Sequence, residues 1–115
     1  MQPSQSQSAQ SEIVQQDNHR YQITGTIDFA TVPALIKRVL LIFRAHRNTG
    51  TGKPSDVVFD LSQVSDCNSA GLALMLEMSK DAQSNNVQLH FDNLPASLLT
   101  IAKAYGVESE IRDIC

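Results

Sequence analysis

The sequence predicts an α/β domain with a largely parallel β-sheet. Short segments with β-strand patterns alternate with segments whose apolar residues recur at helical spacing, and this alternation favours parallel strands joined by right-handed helical crossovers. The 115 residues can form one hydrophobic core and leave little room for a second. Hydrophobic residues make up 42% of the chain and charged residues 18%, a balance that is typical of a folded globular domain.

The domain is predicted to begin with a β-hairpin. Residues 12–16 and 20–24 are short and half apolar, and Asp17-Asn18 between them favours a turn. Residues 25–29 should form the bend that leads into a helix. The preceding residues 1–10, MQPSQSQSAQ, are rich in Ser and Gln, so we expect a disordered tail there and a single domain over residues 11–115.

The first helix is predicted to run from Thr31 to His46. Asp28 or Thr31 can cap its beginning, and Pro33 suits a first turn. Its apolar residues recur every three or four positions and form one broad stripe: Leu35, Ile36, Val39, Leu40, Ile42 and Phe43. The other side carries the basic residues Lys37, Arg38, Arg44 and Arg47.

A loop over residues 48–56 should separate this helix from the next strand. Its TGKPS segment is not a phosphate-binding loop, because Arg47 stands where that motif needs a Gly and Pro54 stands where it needs a Ser or Thr. The strand that follows contains a near-continuous apolar run, which predicts that both of its faces are largely covered. The run consists of Val57, Val58, Phe59 and Leu61.

The second helix is predicted from near Ser69 to Ser84, with Asn85-Asn86 as its stop. On a helical wheel of about 100° per residue, the side expected to face the sheet contains Gly71, Leu72, Met75, Met78, Ser79 and Ala82. The side expected to face water contains Ala73, Glu77, Lys80 and Ser84. Leu74 and Leu76 fall on the flanks, where they either pack under neighbouring loops or extend an exposed apolar docking surface.

A strand over residues 87–91 and a third helix complete the predicted core of the domain. Pro95 opens this helix, and Gly106 ends it after Tyr105. The segment ESEIRDI forms a last short strand or a helical turn. The predicted order is therefore ββαβαβα and a tail, with an antiparallel opening pair.

Charge and cysteine content argue against several function classes. A net charge of −3 argues against nucleic-acid binding and against a membrane-surface role through basic charge. Neither Cys67 nor Cys115 has a Cys or His at ligand spacing, so we expect no zinc site, and no other motif indicates a cofactor. No signal peptide is visible, and no apolar run approaches the roughly 18 residues of a membrane span. We expect a soluble protein of a reducing compartment.

Ser69 has several interpretations. A helix cap is the favoured one, and Asn68 could equally cap. Phosphorylation is the functional alternative, because backbone N–H groups and the helix dipole stabilise a phosphate at a helix N-terminus. A nucleophile is not indicated, since residues 67–71 are CNSAG rather than G-x-S-x-G.

No catalytic group of residues is recognisable elsewhere. The three histidines, His19, His46 and His90, are scattered along the chain. Asp60 and Asp66 are more typical of carboxylates that accept backbone hydrogen bonds than of an acid–base pair. Cys67 is more typical of a small buried residue than of a reactive thiol.

The block DVVFDLSQVSDCNSAGLALMLEM resembles the signature of STAS domains (sulfate transporter and anti-sigma factor antagonist). In that family an apolar strand ends in DLS-x-V, and a D-S/T-S/G-G-L segment begins a helix. The resemblance covers residues 20–113. It implies the family fold, a mixed, mostly parallel sheet with helices packed mainly on one side.

Two branches of the family compete. In anti-sigma factor antagonists, a partner kinase phosphorylates the Ser directly before the Gly, and that position is Ala70 here. NSAGLALML is closer to the D-T-G-G-L-A-L-L of the small STAS subunit of the Mla phospholipid-transport ABC complex. The segment NNVQLHFDNLPASLLTIAKAYGVESEI is also similar to that subunit, through Leu98, Ile101, Ala102, Lys103 and Tyr105.

The Mla resemblance implies a non-catalytic accessory subunit at the cytoplasmic face of a bacterial inner membrane. It would bind the ATPase subunit of a transporter that supports outer-membrane lipid asymmetry, and would itself bind no nucleic acid, small molecule or membrane interior. The expected contact comprises Asn68, Ser69, Ala70, Ala73, Leu74 and Glu77 of the second helix, and Pro33 to Leu35 of the first, where the family often has a bulky aromatic residue. The alternative is an anti-sigma factor antagonist-type protein that binds a kinase and is switched by phosphorylation.

Overall fold

The computed structural model describes residues 11–47 and 55–112. Its elements are β1 (Ser11–Gln15), β2 (Arg20–Ile27), α1 (Val32–Ala45), β3 (Ser55–Cys67), α2 (Ser69–Ser84), β4 (Val87–Asp92), α3 (Ala96–Ala104) and α4 (Glu108–Arg112). The predictions for the tail 1–10, for most of the loop 48–56 and for Cys115 lie outside the described residues.

The four strands form one mixed sheet in the order β1-β2-β3-β4. The β1–β2 pair is antiparallel, while β2–β3 and β3–β4 are parallel. The predicted α/β class, the mostly parallel sheet and the antiparallel opening pair are confirmed.

The helices cover one face of this sheet. Tyr21, Phe59 and Phe91 stand in register on β2, β3 and β4, and all three are buried. They belong to one apolar cluster with the buried side chains of α1, α2 and α3. Val58 and His90 alternate with these residues and are only half-buried, so the prediction that β3 is largely covered on both faces is wrong.

β2, which leads to the site, is longer than predicted. β2 continues to Ile27, because Gly25 adopts a φ of 87° beside a register shift and the strand resumes pairing after it. The bend therefore begins only at Asp28. The helical alternative for the last segment is confirmed by α4.

Asp28 organises the turn that precedes α1. Its Oδ1 accepts hydrogen bonds from the backbone N–H groups of Ala30, at 2.9 Å, and Thr31, at 3.0 Å. Thr31 occupies the N-cap position without a side-chain cap hydrogen bond. Its hydroxyl instead donates to the carbonyl of Thr26 at 3.0 Å, which ties the start of α1 to the end of β2.

Candidate functional site

Two chain segments leave the carboxyl edge of the sheet side by side. Ile27 at the end of β2 pairs with Cys67 at the end of β3. The backbone N–H of Asn68 also donates to the carbonyl of Ile27 at 3.2 Å. The β2–α1 loop, residues 28–31, and the first turn of α2 therefore emerge next to each other.

Asn68 caps α2. Its backbone is extended, and its Oδ1 accepts a hydrogen bond from the N–H of Ala70 at 2.8 Å. Ser69 is already the first helical residue, so the favoured interpretation of Ser69 as the cap is wrong and the Asn68 alternative is confirmed. Within the described part of the chain the Ser69 hydroxyl makes no hydrogen bond, and the residue is half-buried.

Close packing of Gly71 against Cys67 fixes the junction. A Cβ on Gly71 would collide with the Sγ of Cys67 and would also meet side chains of Ile27 and Leu98. Behind this contact lies an apolar cavity of about 10 Å³, which is comparable to one water-sized probe. This cavity is too small for a substrate.

The thiol of Cys67 is unsuited to nucleophilic chemistry. The residue is 6% exposed. Burial, together with the charge of Asp66, raises the pKa of the Cys67 thiol to about 11. Because the thiolate is the reactive form, the protonated thiol is inert near neutral pH. The interpretation of Cys67 as a small buried residue is confirmed.

Asp60 and Asp66 accept hydrogen bonds from neighbouring groups. Asp60 is 7% exposed and accepts from the backbone of Ser62 and the side chain of Asn93, each at 2.9 Å. Burial alone would raise the pKa of Asp60, but these hydrogen bonds and the charge of Arg20 outweigh burial and hold that pKa below its ordinary value. The carboxylate of Asp66 accepts from the N–H of Cys67 at 3.0 Å. Both carboxylates thus have the structural role that the sequence favoured.

Three of the predicted contact residues are buried inside the domain. Ala70 and Leu74 are each 1% exposed and Leu35 is 2% exposed. The idea that Leu74 extends an exposed apolar surface is therefore wrong. The physical reason is that α2 contacts α1 on one side and α3 on the other, as well as β4, so both flanks of its helical wheel are covered. Leu76 is half-buried and also packs against the core.

The remaining predicted residues reach the surface. Asn68, Ala73 and Pro33 are exposed, while Ser69 and Glu77 are half-buried. They surround the first turns of α1 and α2. Among residues 11–47 and 55–112 no group of three or more Asp, Glu, His or Cys side chains could hold a metal ion.

Phe29 is a candidate that the sequence analysis missed. Its side chain lies in the β2–α1 loop and is 71% exposed, more than any other exposed large hydrophobic residue described. The resemblance implied an aromatic residue over Pro33 to Leu35, and the pattern around Phe29 indicated only the end of a bend. One signal was present: an aromatic residue in a tight turn between Asp28 and Ala30 belongs to no amphipathic stripe that could bury it.

Comparison with known proteins identifies the family. The model of the family described as STAS domain matches residues 10–115. The chain belongs to the STAS domain family. STAS domains are typically binding or regulatory domains rather than catalysts. No curated protein matches the sequence.

Solved STAS structures share the fold. The anti-sigma factor antagonist SpoIIAA in its unphosphorylated form is 12% identical, with a TM-score of 0.58 over 86% of this chain and 83% of that one. An anti-sigma factor antagonist from Mycobacterium paratuberculosis is 20% identical, with a TM-score of 0.60 over 87% and 80%. A sulfate transporter family protein from Wolinella succinogenes is 12% identical, with a TM-score of 0.54 over 87% and 75%. In the described part of this STAS domain, no helix has the length and apolar character to cross a membrane.

Proposed function

We propose that this STAS domain is a non-catalytic accessory subunit that binds a partner protein through the edge where the β2–α1 loop meets α2. We call this edge the junction surface and define it by Phe29, Pro33, Asn68, Ser69, Ala73 and Glu77. The observation that carries the proposal is the 71% exposure of Phe29 beside the start of α2. Exposed aromatic side chains are frequent anchors of protein interfaces, because they bury a large area with little loss of conformational entropy.

The partner we propose is the ATPase subunit of a phospholipid-transport ABC complex of the Mla type. The resemblance of NSAGLALML and of residues 86–111 to the small subunit of that complex supports this choice. The exposed Ala73 allows the backbone of α2 to be approached closely, and Phe29 supplies the aromatic residue that the family often has near the start of the first helix. The protein would then act at the inner face of the inner membrane, held there by its partner, and support outer-membrane lipid asymmetry.

Co-purification with the ABC ATPase and its permease tests this function. We expect Phe29→Ala and Ala73→Arg each to reduce recovery of the complex by about tenfold or more, because interface anchors dominate binding energy. Ser69→Ala should have a mild effect. Tyr105→Ala is the matched control, because Tyr105 is 63% exposed but lies at the far end of α3. An intact complex with both Phe29→Ala and Ala73→Arg would show that the junction surface is not the contact.

The alternative is an anti-sigma factor antagonist that is switched by phosphorylation. The unbonded hydroxyl of Ser69 in the first turn of α2 favours it, because a phosphate there would meet the positive end of the helix dipole. Ala70 disfavours it, since it replaces the Ser that is modified in that branch and is itself buried. Intact-mass measurement after incubation with the cognate kinase and ATP distinguishes the two. A phosphate that is added to the wild-type protein but not to the Ser69→Ala variant would favour the signalling function.

A further inference from the structure

Charge is distributed very unevenly along this acidic chain. All twelve Asp and Glu residues lie outside residues 29–55, although that segment contains five of the nine Lys and Arg residues. The segment includes all of α1. The net charge of −3 therefore conceals one strongly cationic helix in an otherwise acidic protein.

The cations of α1 surround one exposed leucine. Lys37, Leu41 and Arg44 recur at spacings of four and three residues, which places them along one line of the helix. All three are exposed, and the side chain of Leu41 is 64% exposed. Within the described part of the chain, neither Lys37 nor Arg44 forms an ion pair. We call Lys37, Arg38, Leu41 and Arg44 the cationic face.

A groove lies beside the cationic face, between α1 and β1. It has a volume of about 330 Å³ and its lining includes Ile13, Tyr21, Leu41 and Ile42. That volume is at the low end of the range for ligand-binding clefts. Arg38 also lines the groove, and its Nη2 donates to the backbone carbonyl of Ile13 at 3.0 Å. A guanidinium is thus held in position at the wall of an apolar groove.

We propose that the cationic face and this groove form a second docking surface, which binds an acidic peptide segment of a partner protein. An apolar side chain of that segment packs on Leu41 and enters the groove, and flanking carboxylates pair with Lys37, Arg38 and Arg44. Charge complementarity selects an acidic partner, because every charged residue of the face is a cation and no described acidic side chain forms an ion pair with it. Its apolar anchor is separate from the junction surface, since Leu41 lies eight residues beyond Pro33, or about 12 Å along α1 at 1.5 Å per residue. Lys37, one turn from Pro33, lies where the two surfaces adjoin.

A protein segment fits this surface better than a lipid bilayer does. The apolar stripe of α1, which contains Leu35, Val39 and Phe43, is buried in the domain core. Only Leu41 remains to enter a membrane, whereas interfacial helices present a broad apolar face. The groove is also concave, and a protruding side chain fills it where a flat surface would pass over it.

Fluorescence anisotropy with designed peptides tests the proposal on the full chain. One labelled peptide carries a Leu flanked by Glu residues, and a second replaces that Leu with Ser. We expect the Leu peptide to bind about tenfold more tightly, and its affinity to fall with added salt because screening weakens exposed charge pairs. Lys37→Glu/Arg44→Glu should weaken binding by about tenfold or more. Leu41→Ser should remove the preference for the Leu peptide without changing the charge.

The matched control is Lys80→Glu/Lys103→Glu, which makes the same change in net charge on exposed residues of α2 and α3. Circular dichroism and the Tm verify that each variant is folded. Equal weakening by both pairs of substitutions would overturn the proposal, because the attraction would then be non-specific. Failure of the Leu peptide to bind would also overturn it. If Lys37→Glu/Arg44→Glu then abolished sedimentation with phosphatidylglycerol vesicles or self-association of the chain, the face would bind a lipid surface or a second copy instead.

Discussion

Gly71 lies where the backbone of α2 passes closest to the end of β3. A methyl group there would collide with the Sγ of Cys67, which is itself buried against the core. In an unhindered helix, Gly→Ala stabilises by about 1 kcal/mol through helix propensity. Overpacking of a close contact costs about 1–3 kcal/mol. The sign of the change in the free energy of unfolding on Gly71→Ala therefore reports whether the Sγ of Cys67 can move away.

We predict that Gly71→Ala lowers the free energy of unfolding by up to about 2 kcal/mol, because the collision outweighs the gain in helix propensity. Urea denaturation measures this change. In a Cys67→Ala background, which removes the sulfur, the same substitution should be neutral or stabilising. An equal cost in both backgrounds would contradict the assignment of the collision to Cys67.

The residues of the candidate site differ in how well the sequence predicts them. Asn68 and Ser69 are both good cap residues, and only the backbone conformation selects Asn68, so residue type alone left the choice open. The aromatic residue that the resemblance implied was sought inside α1, whereas Phe29 lies in the preceding turn. Its exposure depends on how the loop leaves the sheet, which a local sequence pattern does not contain.

At the scale of single elements, the cap of α2 can be tested directly. Asn68→Ala should lower the free energy of unfolding by about 1 kcal/mol, because the N–H of Ala70 loses its acceptor. Ser69→Ala, one position later, should change it by less than about 0.5 kcal/mol, because that hydroxyl has no partner in the described structure. Thermal or urea unfolding of the two variants measures the difference. The reverse ranking would mean that Ser69 provides the cap in solution.

The spacing of apolar residues predicted which segments form helices and strands. It predicted less well where these elements end and which other elements pack against them. Leu35, Val39 and Phe43 form the buried stripe of α1 as the spacing indicated. β2 extends beyond its predicted end because it pairs with β3 up to Ile27 and Cys67, and pairing is a property of two segments. Leu74 is buried for a similar reason, since a helical wheel describes α2 alone and not the helices that pack on both of its sides.

At the scale of the whole molecule, aromatic contacts join the helix layer to the sheet. Phe59 in β3 stacks on Tyr21 in β2, with ring centroids 5.5 Å apart, and meets Phe43 of α1 edge-on at 6.2 Å. Tyr21 extends this chain of contacts to the end of α1, because its hydroxyl lies 2.8 Å from Nε2 of His46. His19 in the β1–β2 turn stands beside His46, with ring centroids 5.3 Å apart. The β1–β2 hairpin and the end of α1 thus meet at His46, and Tyr21 connects this contact to Phe59 of β3.

This histidine should make the stability of the domain depend on pH. Burial, and then the charge of the neighbouring His19, lower the pKa of His46 below its ordinary value. In the unfolded chain the imidazole regains an ordinary pKa of about 6.5. The unfolded state then binds more protons than the folded state does, so stability rises with pH. The contribution of His46 is complete above the unfolded pKa and is lost as the pH falls through the lower folded value.

We predict that the free energy of unfolding, measured with urea, decreases from about pH 7.5 to about pH 5.5 and that His46→Gln reduces this slope. Glutamine has no titratable proton in this range but can still hydrogen-bond the hydroxyl of Tyr21, so the change in slope is separated from the loss of the contact. His90→Gln is the matched control, because His90 is half-buried on the sheet face away from the helices and has no contact with His46 or Tyr21 in the described structure. If both variants changed the slope equally, the acid sensitivity would not arise where α1 meets the hairpin.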